Sequence, residues 1–317
     1  MTPADPQTKG ELALIARLRR ELAPAAESGA PAAGDVPFGD DMAAVPGIPG
    51  LLWTVDMLMD GVDFESGRHA WYDVGRKAMG ASLSDCAAMA ARPLAALCAV
   101  ALSDAMTMED ALDLHRGARD CGVDFGCPIV GGDTNSWNEP TVVSITVVAR
   151  TEEGRAPVLR SGAQPGDHVY LTGPVGGSRS GRHLHPQPRI ETALALNREL
   201  TPHAMIDISD GLALDLWRVL ESSRCGAVID ERQLAALVHA DAVELAKSSG
   251  RPASEHGLYD GEDFELIVVL PREADVHRCR SLGLLPLGEI VMDQGLWMQR
   301  PDGGRVPVER RGWEHFR

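Results

Sequence analysis

The sequence predicts an α/β (α+β) protein built as two mixed α/β domains. Three observations carry this expectation. Short β-rich apolar runs alternate with stretches of helical spacing from residue 51 to residue 291, so neither half is all-strand or all-helix. A polar stretch bearing glycine and proline, residues 151–166, separates an N-terminal domain, 1–150, from a C-terminal domain, 151–317. At 317 residues the chain is long enough to bury two cores.

The elements follow in order. Leu12, Leu14, Ile15, Leu18 and Leu22 give residues 11–22 a helical stripe, and the Ala, Pro and Gly-rich residues 24–36 read as a loop. A turn is expected over 46–50 and a strand over 51–55, ending on Asp56. Residues 71–91 read as one or two helices, in which Gly75 and Gly80 call for close packing or a break. A strand (94–102), a helix (108–121), a strand (128–130) leading into Gly131-Gly132-Asp133, and a strand (141–150) complete the first half. The second half reads as a strand (168–172), a Gly and Arg-rich loop (173–185), a helix (189–199) and a strand (204–208). Ser209 is a good N-cap for a helix opening at Asp210. Then come a strand (227–230), a helix (236–247), a turn (260–263), a strand (264–270), a helix (273–282) and a last core strand (284–291).

Composition limits the function. The chain is 44% hydrophobic and 24% charged, as in a water-soluble globular protein, and no apolar run approaches the ~20 residues of a membrane span. A formal net charge of −16 argues against nucleic acid or an anionic membrane as partner, although metal ions can still join an acidic protein to a polyphosphate. The N-terminus lacks a basic-then-apolar signal, which places the protein in the cytoplasm. The six cysteines form no Cys-x-x-Cys pair and read as buried thiols. There is no His-Glu-x-x-His or Gly-x-Ser-x-Gly segment, which sets zinc and serine-hydrolase chemistry aside.

The chemistry gathers at acidic junctions. In HAMIDISDGLALDL, Asp207 and Asp210 sit where a strand gives way to a helix. One such pair alone is more often a strand end and a helix-dipole partner than a metal site. Four further segments also place acids beside Gly or Ser/Thr next to apolar runs: Phe38-Gly39-Asp40-Asp41, Thr54-Val55-Asp56, Ser82-Leu83-Ser84-Asp85 and Gly131-Gly132-Asp133-Thr134. Brought to one centre, the five would make a multi-metal phosphate site of oxygen donors, suited to Mg²⁺. The loop 173–178 offers either backbone contacts to phosphate or a plain turn. It is not a Walker loop, because the three lysines, Lys9, Lys77 and Lys247, lie in no glycine loop.

Taken together and in order, FGDDMAAV, TVDMLMDGVDF, GRKAMGASLSDCAAMAARP, GGDTN, VLRSGAQPGDHVYLTG, MIDISDGLALDL, GEDFELIV and the closing GWEHF resemble the thiamine-monophosphate kinases, within the superfamily of aminoimidazole-ribonucleotide synthetase. The resemblance runs from Phe38 to Phe316. It implies a homodimer joined through its N-terminal sheets, with a C-terminal α/β domain completing each active site. It also implies transfer of the ATP γ-phosphoryl group to thiamine monophosphate, giving thiamine diphosphate and ADP. Carried over by motif, Asp41, Asp56, Asp85, Asp133, Asp207 and Asp210 are expected to hold Mg²⁺, with Thr54 adding an oxygen; Asp85, Asp133 and Asp210 are the acids closest to the reaction. Gly132, Asp133, Arg160 and Ser209 are expected to meet the nucleotide, and Asp63, Glu262 and Trp313 the substrate. Three positions depart from the family pattern. Val55 replaces a usual threonine, Asp63 replaces a usual histidine, and the stretch 176–188 is much shorter than usual. The alternatives are a related ATP-using enzyme acting on another small phosphate or carboxylate, and a non-catalytic nucleotide-binding dimer.

Overall fold

Two sheets organise the residues that the computed structural model describes, which are 36, 39–45 and 47–315. The expected helix at 11–22, the loop up to residue 35, Phe38, Pro46 and Phe316 lie outside the described residues.

The first sheet has the order β1-β2-β5-β3-β4, where β1 is Ala43–Ala44, β2 Leu51–Met59, β3 Ala91–Ser103, β4 Ile129–Trp137 and β5 Val142–Thr151. Neighbours are antiparallel except β3 and β4, which are parallel and joined by the helical crossover α2 (Met108–Asp124). Strand alternation gives the sheet two unlike faces. On β2, Leu52, Thr54 and Leu58 are buried, while Trp53, Val55 and Met57 are exposed. The buried face packs under α1 (Trp71–Ala88) and α2. The other face stays open among the described residues.

Gly75 and Gly80 turn out to serve close packing within one unbroken helix, α1. A Cβ on Gly75 would lie 1.9 Å from the Leu114 carbonyl oxygen, and one on Gly117 of α2 would lie 1.8 Å from that of Tyr72. The two helices therefore cross at backbone distance. The crossover also has a defined start, since Thr107 and Asp110 form a reciprocal capping box.

The second sheet has the order β12-β11-β8-β10-β6-β9-β7: β6 His168–Leu171, β7 Ala204–Asp207, β8 Gly226–Asp230, β9 Leu266–Leu270, β10 Leu285–Val291, β11 Gly295–Gln299 and β12 Arg305–Pro307. Helix α4 (Leu212–Ser223) buries Leu212, Ala213, Leu216 and Val219 in its own core with Ile206, Ile267 and Val269. Helix α3 (Ile190–Glu199) joins the other core, where Ile190 and Leu194 cluster with Tyr170, Met205 and Val268 of the second sheet, with Ala96 of the first and with Met89, which ends α1. That shared core fixes the two sheets against each other.

Several expectations change. Asp56 lies within β2, not at its end, and Gly131-Gly132-Asp133 is edge strand, not a loop after one. The helix expected at 236–247 is two, α5 (Glu231–Leu237) and α6 (Ala240–Ser249), because His239 caps the second by accepting from the Asp241 N–H at 3.1 Å. Helix α7 (Ala253–Tyr259) and strands β1, β11 and β12 were not read from the sequence, so residues 284–291 are not the last strand; α8 is Val276–Ser281. Ser209 does not cap α4. That helix begins at Leu212, and it is Asp215 that accepts from the N–H groups of Asp210 and Gly211, both at 3.0 Å. Among the described residues no helix is long and apolar enough to cross a membrane.

Gly117→Ala adds a methyl group where the Tyr72 carbonyl leaves no room. It is expected to destabilise the fold by on the order of 1–3 kcal/mol despite the better helix propensity of alanine. Denaturant unfolding checks this, and an unchanged midpoint would contradict the backbone contact.

Candidate active site

Three acids meet where the two sheets meet. Asp85 comes from the last turn of α1, Asp207 from the end of β7, and Asp41 from the segment before β1. One carboxylate oxygen of each lies within 4.8 Å of the others. The elements hold them by short polar contacts. The Thr54 hydroxyl, on the inner face of β2, donates to Asp85 Oδ2, and the Ser84 hydroxyl donates to Asp207 Oδ2 at 2.6 Å. Asp41 Oδ1 accepts from Arg160 Nη2 at 2.5 Å, while its Oδ2 is buried with no hydrogen-bond partner.

The charge is held under tension. Burial, then the neighbouring acids Asp56, Asp207 and Asp41, push the Asp85 carboxyl well above its ordinary range. Burial, then Asp41, does the same to Asp207. Asp56, beside them on β2, is pushed up to about 6 by burial, and the Ser82 hydroxyl only partly offsets this. Unit charges 4.8 Å apart repel by about 3–4 kcal/mol at an effective dielectric of ~20. Oxygen donors at this spacing, one of them buried and unpartnered, fit a hard divalent cation such as Mg²⁺.

Arginines surround the trio and pair with acids in and beside it. Arg160 is bound to acids in this structure: its backbone N–H donates to Asp40 at 3.3 Å and its guanidinium to Asp41. Burial works against its charge, but Asp41 and Asp40 outweigh that and hold the guanidinium firmly protonated. Arg218, on α4, donates to Asp210 Oδ2 and, at 2.5 Å, to Asp215 Oδ1. Asp210 is thus a partly exposed carboxylate steadied from behind. Asp40 stands in the first acidic junction without an assigned role, whereas Asp215 and Arg218 were missed, their i,i+3 spacing being the available signal.

A second cluster surrounds Glu262. Gly261 and Glu262 both have positive φ, +74° and 55°, and a Cβ on Gly261 would meet the Ser209 carbonyl at 2.7 Å. The turn is therefore pressed onto the Ser209 segment, and the Glu262 N–H donates to the Ser209 carbonyl at 2.8 Å. Glu262 Oε1 pairs with Lys77 Nζ at 2.5 Å, and Lys77 is wholly buried on α1. Burial lowers the Lys77 pKa, and the charge of Glu262 resists that. Trp313 is tied to the acid loop through its N–H, which donates to the Asp210 carbonyl at 2.8 Å. Lys77 was the signal overlooked: one of three lysines, set in an apolar helix.

One expected residue, Asp133, does not join these groups. In β4, Asp133 pairs with Ala99, whereas Gly132 pairs with Cys98, Cys98 with Ile145, and Ile145 with Asp56. Paired residues share a sheet face. Asp133 is therefore on the open face, three strands from Asp56 and on its opposite side, so the five junctions do not all converge within one chain. Asp63 does join the second group: its carbonyl accepts from Lys77 Nζ at 2.5 Å, while its Oδ2 accepts from the Met59 N–H at 2.8 Å. In the glycine loop, the Gly176 N–H is taken by Asp263 at 2.9 Å, which favours the turn over a phosphate cradle.

This layout, with a helix-backed sheet carrying acids on its inner face and a second α/β unit closing over it, defines an AIR synthase-like protein. The family model for AIR synthase related protein, N-terminal domain, matches residues 39–151. Over 293 residues the chain is 41% identical to a thiamine-monophosphate kinase of Rhodopirellula baltica, covering 88% of this chain and 91% of that one. It is 34% identical over 253 residues to the thiamine-monophosphate kinase of Methanospirillum hungatei, covering 77% and 83%. The structure of AaThiL complexed with AMPPCP and TMP superposes with a TM-score of 0.82 at 27% identity and full coverage of both chains. The chain belongs to the thiamine-monophosphate kinase family.

The raised carboxyls imply a pH dependence. An acid whose pKa rises on folding contributes stability below its unfolded value, near 3.8, and loses it as pH rises through the folded value, about 6 for Asp56. The metal-free protein is therefore expected to lose stability over that window and above it, where Asp85 and Asp207 follow. Because a cation competes with protons for the same oxygens, Mg²⁺ should raise the melting temperature more at about pH 8 than at about pH 5. Equal shifts in scanning fluorimetry would contradict the assignment.

Proposed function

We propose that this chain catalyses transfer of the ATP γ-phosphoryl group to the phosphate of thiamine monophosphate, with Mg²⁺ held by Asp41, Asp85 and Asp207 and assisted by Thr54 and Asp56. The observation that carries this reading is the distance between the two clusters. Lys77 lies eight residues before Asp85 on α1, ~12 Å along the axis. The Glu262–Trp313 group that Lys77 anchors is thus about one small molecule away from the acid trio. A ligand with a phosphate at one end and a cationic ring at the other spans that gap. The carboxylate and the aromatic face suit the ring, and the trio suits the phosphates.

Little covalent work is left to the protein. The acceptor is a phosphate monoester, largely dianionic at neutral pH because its second pKa is near 6. Its oxygen is already a nucleophile, so no side chain has to remove a proton; the γ-phosphorus–oxygen bond to ADP breaks as the new one forms. Bound Mg²⁺ supplies charge neutralisation between the two phosphates. Arg160 and Arg218 supply fixed positive charge beside Asp41 and Asp210, and the Ser209 segment places the nucleotide against Asp210. Glu262 and Trp313 orient the ring, which sets the reacting oxygens in line.

The proposal includes a homodimer. Trp53, Val55, Met57, Leu97 and Trp137 are each more than two-fifths exposed, and β2, β3 and β4 set them on the open sheet face. Such a patch marks an interaction surface. A second copy covering this face would bury Asp133, whose nucleotide and metal roles would then depend on the partner subunit. The six cysteines are all buried and free, which fits a reducing, cytoplasmic setting.

Asp85→Asn and Asp210→Asn are each expected to lower turnover by at least ~100-fold with little change in melting, since Asn keeps shape but not the charge that holds the cation. Product analysis with ATP, Mg²⁺ and thiamine monophosphate checks this; near-normal rates would reduce these acids to structural features. Light scattering is expected to show a dimer. An active monomer would refute the cross-subunit role of Asp133.

A further inference from the structure

The cradle that Glu262 and Trp313 offer to a cationic ring is already filled by a cation of the chain itself. Arg179 lies in the first of two short 3-10 turns, Ser178–Ser180 and Arg182–Leu184, in the loop that is short for the family. Its guanidinium carbon stands 5.0 Å from the centroid of the Trp313 ring, and its Nε is 3.7 Å from Glu262 Oε2. Glu262 Oε2 is buried and has no hydrogen-bond partner, because 3.7 Å is too long for one. Arg179 itself is lightly anchored. Its side chain is 41% exposed, and its one hydrogen bond among those described goes from Nη2 to the Val62 carbonyl at 3.3 Å. The ring face and the carboxylate oxygen are thus held by a cation that satisfies neither fully.

We propose that Arg179 is the specificity-determining residue of the ring site, an internal cation that is exchanged for the cationic ring of the ligand. The proposal rests on the assignment of Glu262 and Trp313 to the ring of thiamine monophosphate. Two cations cannot share one ring face, and Lys77 already balances the other oxygen of Glu262. A planar delocalised cation replaces the guanidinium charge for charge. A neutral ring that displaces Arg179 leaves Glu262 with a buried, uncompensated oxygen. The site therefore selects for positive charge through competition as well as attraction. Ser178 keeps the base of the loop in place during the exchange, since its hydroxyl donates to the Glu262 carbonyl at 2.6 Å and its own carbonyl is bound by His183 Nδ1 at 3.1 Å.

Thiamine, which has the cationic ring and no phosphate, isolates this site. Its affinity for wild type, Arg179→Ala and Arg179→Gln is measured by calorimetry, alongside the KM for thiamine monophosphate and for ATP. A partly exposed cation–π contact and ion pair together set the scale of the competition, so both variants are expected to bind thiamine about ten-fold more tightly. The KM for thiamine monophosphate should fall in parallel, while that for ATP stays within about two-fold. Equal or weaker thiamine binding by both folded variants overturns the proposal and makes Arg179 a bystander or a direct ligand. Failure of the underlying assignment looks different: wild type itself would neither bind thiamine nor turn over thiamine monophosphate, and the proposal would fall with it. Melting curves show that the variants are folded, and Gln retains most of the size of the side chain if Ala does not fold.

Discussion

Like charge crowded into a buried junction is the constraint on which the rest depends. Asp41, Asp85 and Asp207 hold oxygens within 4.8 Å of one another, each pair costing a few kcal/mol when ionised. Against a typical folding stability of ~5–15 kcal/mol, such a cluster is tolerated only if protons, arginines or metal ions neutralise it. Raised carboxyl pKa values at Asp85 and Asp207 and Arg160 locked onto Asp41 supply the first two. A nucleotide arriving with Mg²⁺ would provide the third.

The fold is arranged to keep this junction rigid. No single element supplies two members of the trio. Close backbone packing at Gly75 and Gly117 locks α1, the helix that carries Asp85, while the shared core around Met205 fixes β7, which carries Asp207. Behind the partly exposed Asp210, the buried Asp215 takes two backbone N–H groups and one arm of Arg218, and the other arm of that arginine sets the Asp210 carboxylate. The same helix α1 carries Lys77 to Glu262, so one rod spaces the acid end and the ring end of the site.

Much of the site was legible because acids flanked by Gly or Ser/Thr at element ends are rare in combination; Asp41, Asp85, Asp207 and Thr54 meet as the sequence suggested. What failed has a physical cause. The faces of strands follow from pairing register, which sequence does not print, so the placement of Asp133 on the opposite sheet face from Asp56 could be learned only from the structure. The cap at Ser209 was lost to a longer-range competitor, Asp215, five residues beyond Asp210. Helices shorter than about three turns, such as α5, and the terminal strands β11 and β12 carry too little periodic signal to be read alone. Lys77 and Arg179 meet Glu262 from dozens of residues away, so local pattern marks them as unusual residues without giving their partner, whereas the i,i+3 spacing of Asp215 and Arg218 does carry a local signal.

The central claim is that the acid trio binds divalent cations together with the nucleotide. Titration of Mn²⁺ into the protein with a non-hydrolysable ATP analogue, followed by the electron paramagnetic resonance of free Mn²⁺, tests it most directly. The expected result is tight uptake by wild type that is lost or weakened at least ~10-fold in Asp207→Asn, the buried acid whose carboxylate accepts from the Ser84 hydroxyl. Identical uptake by both proteins would contradict the account.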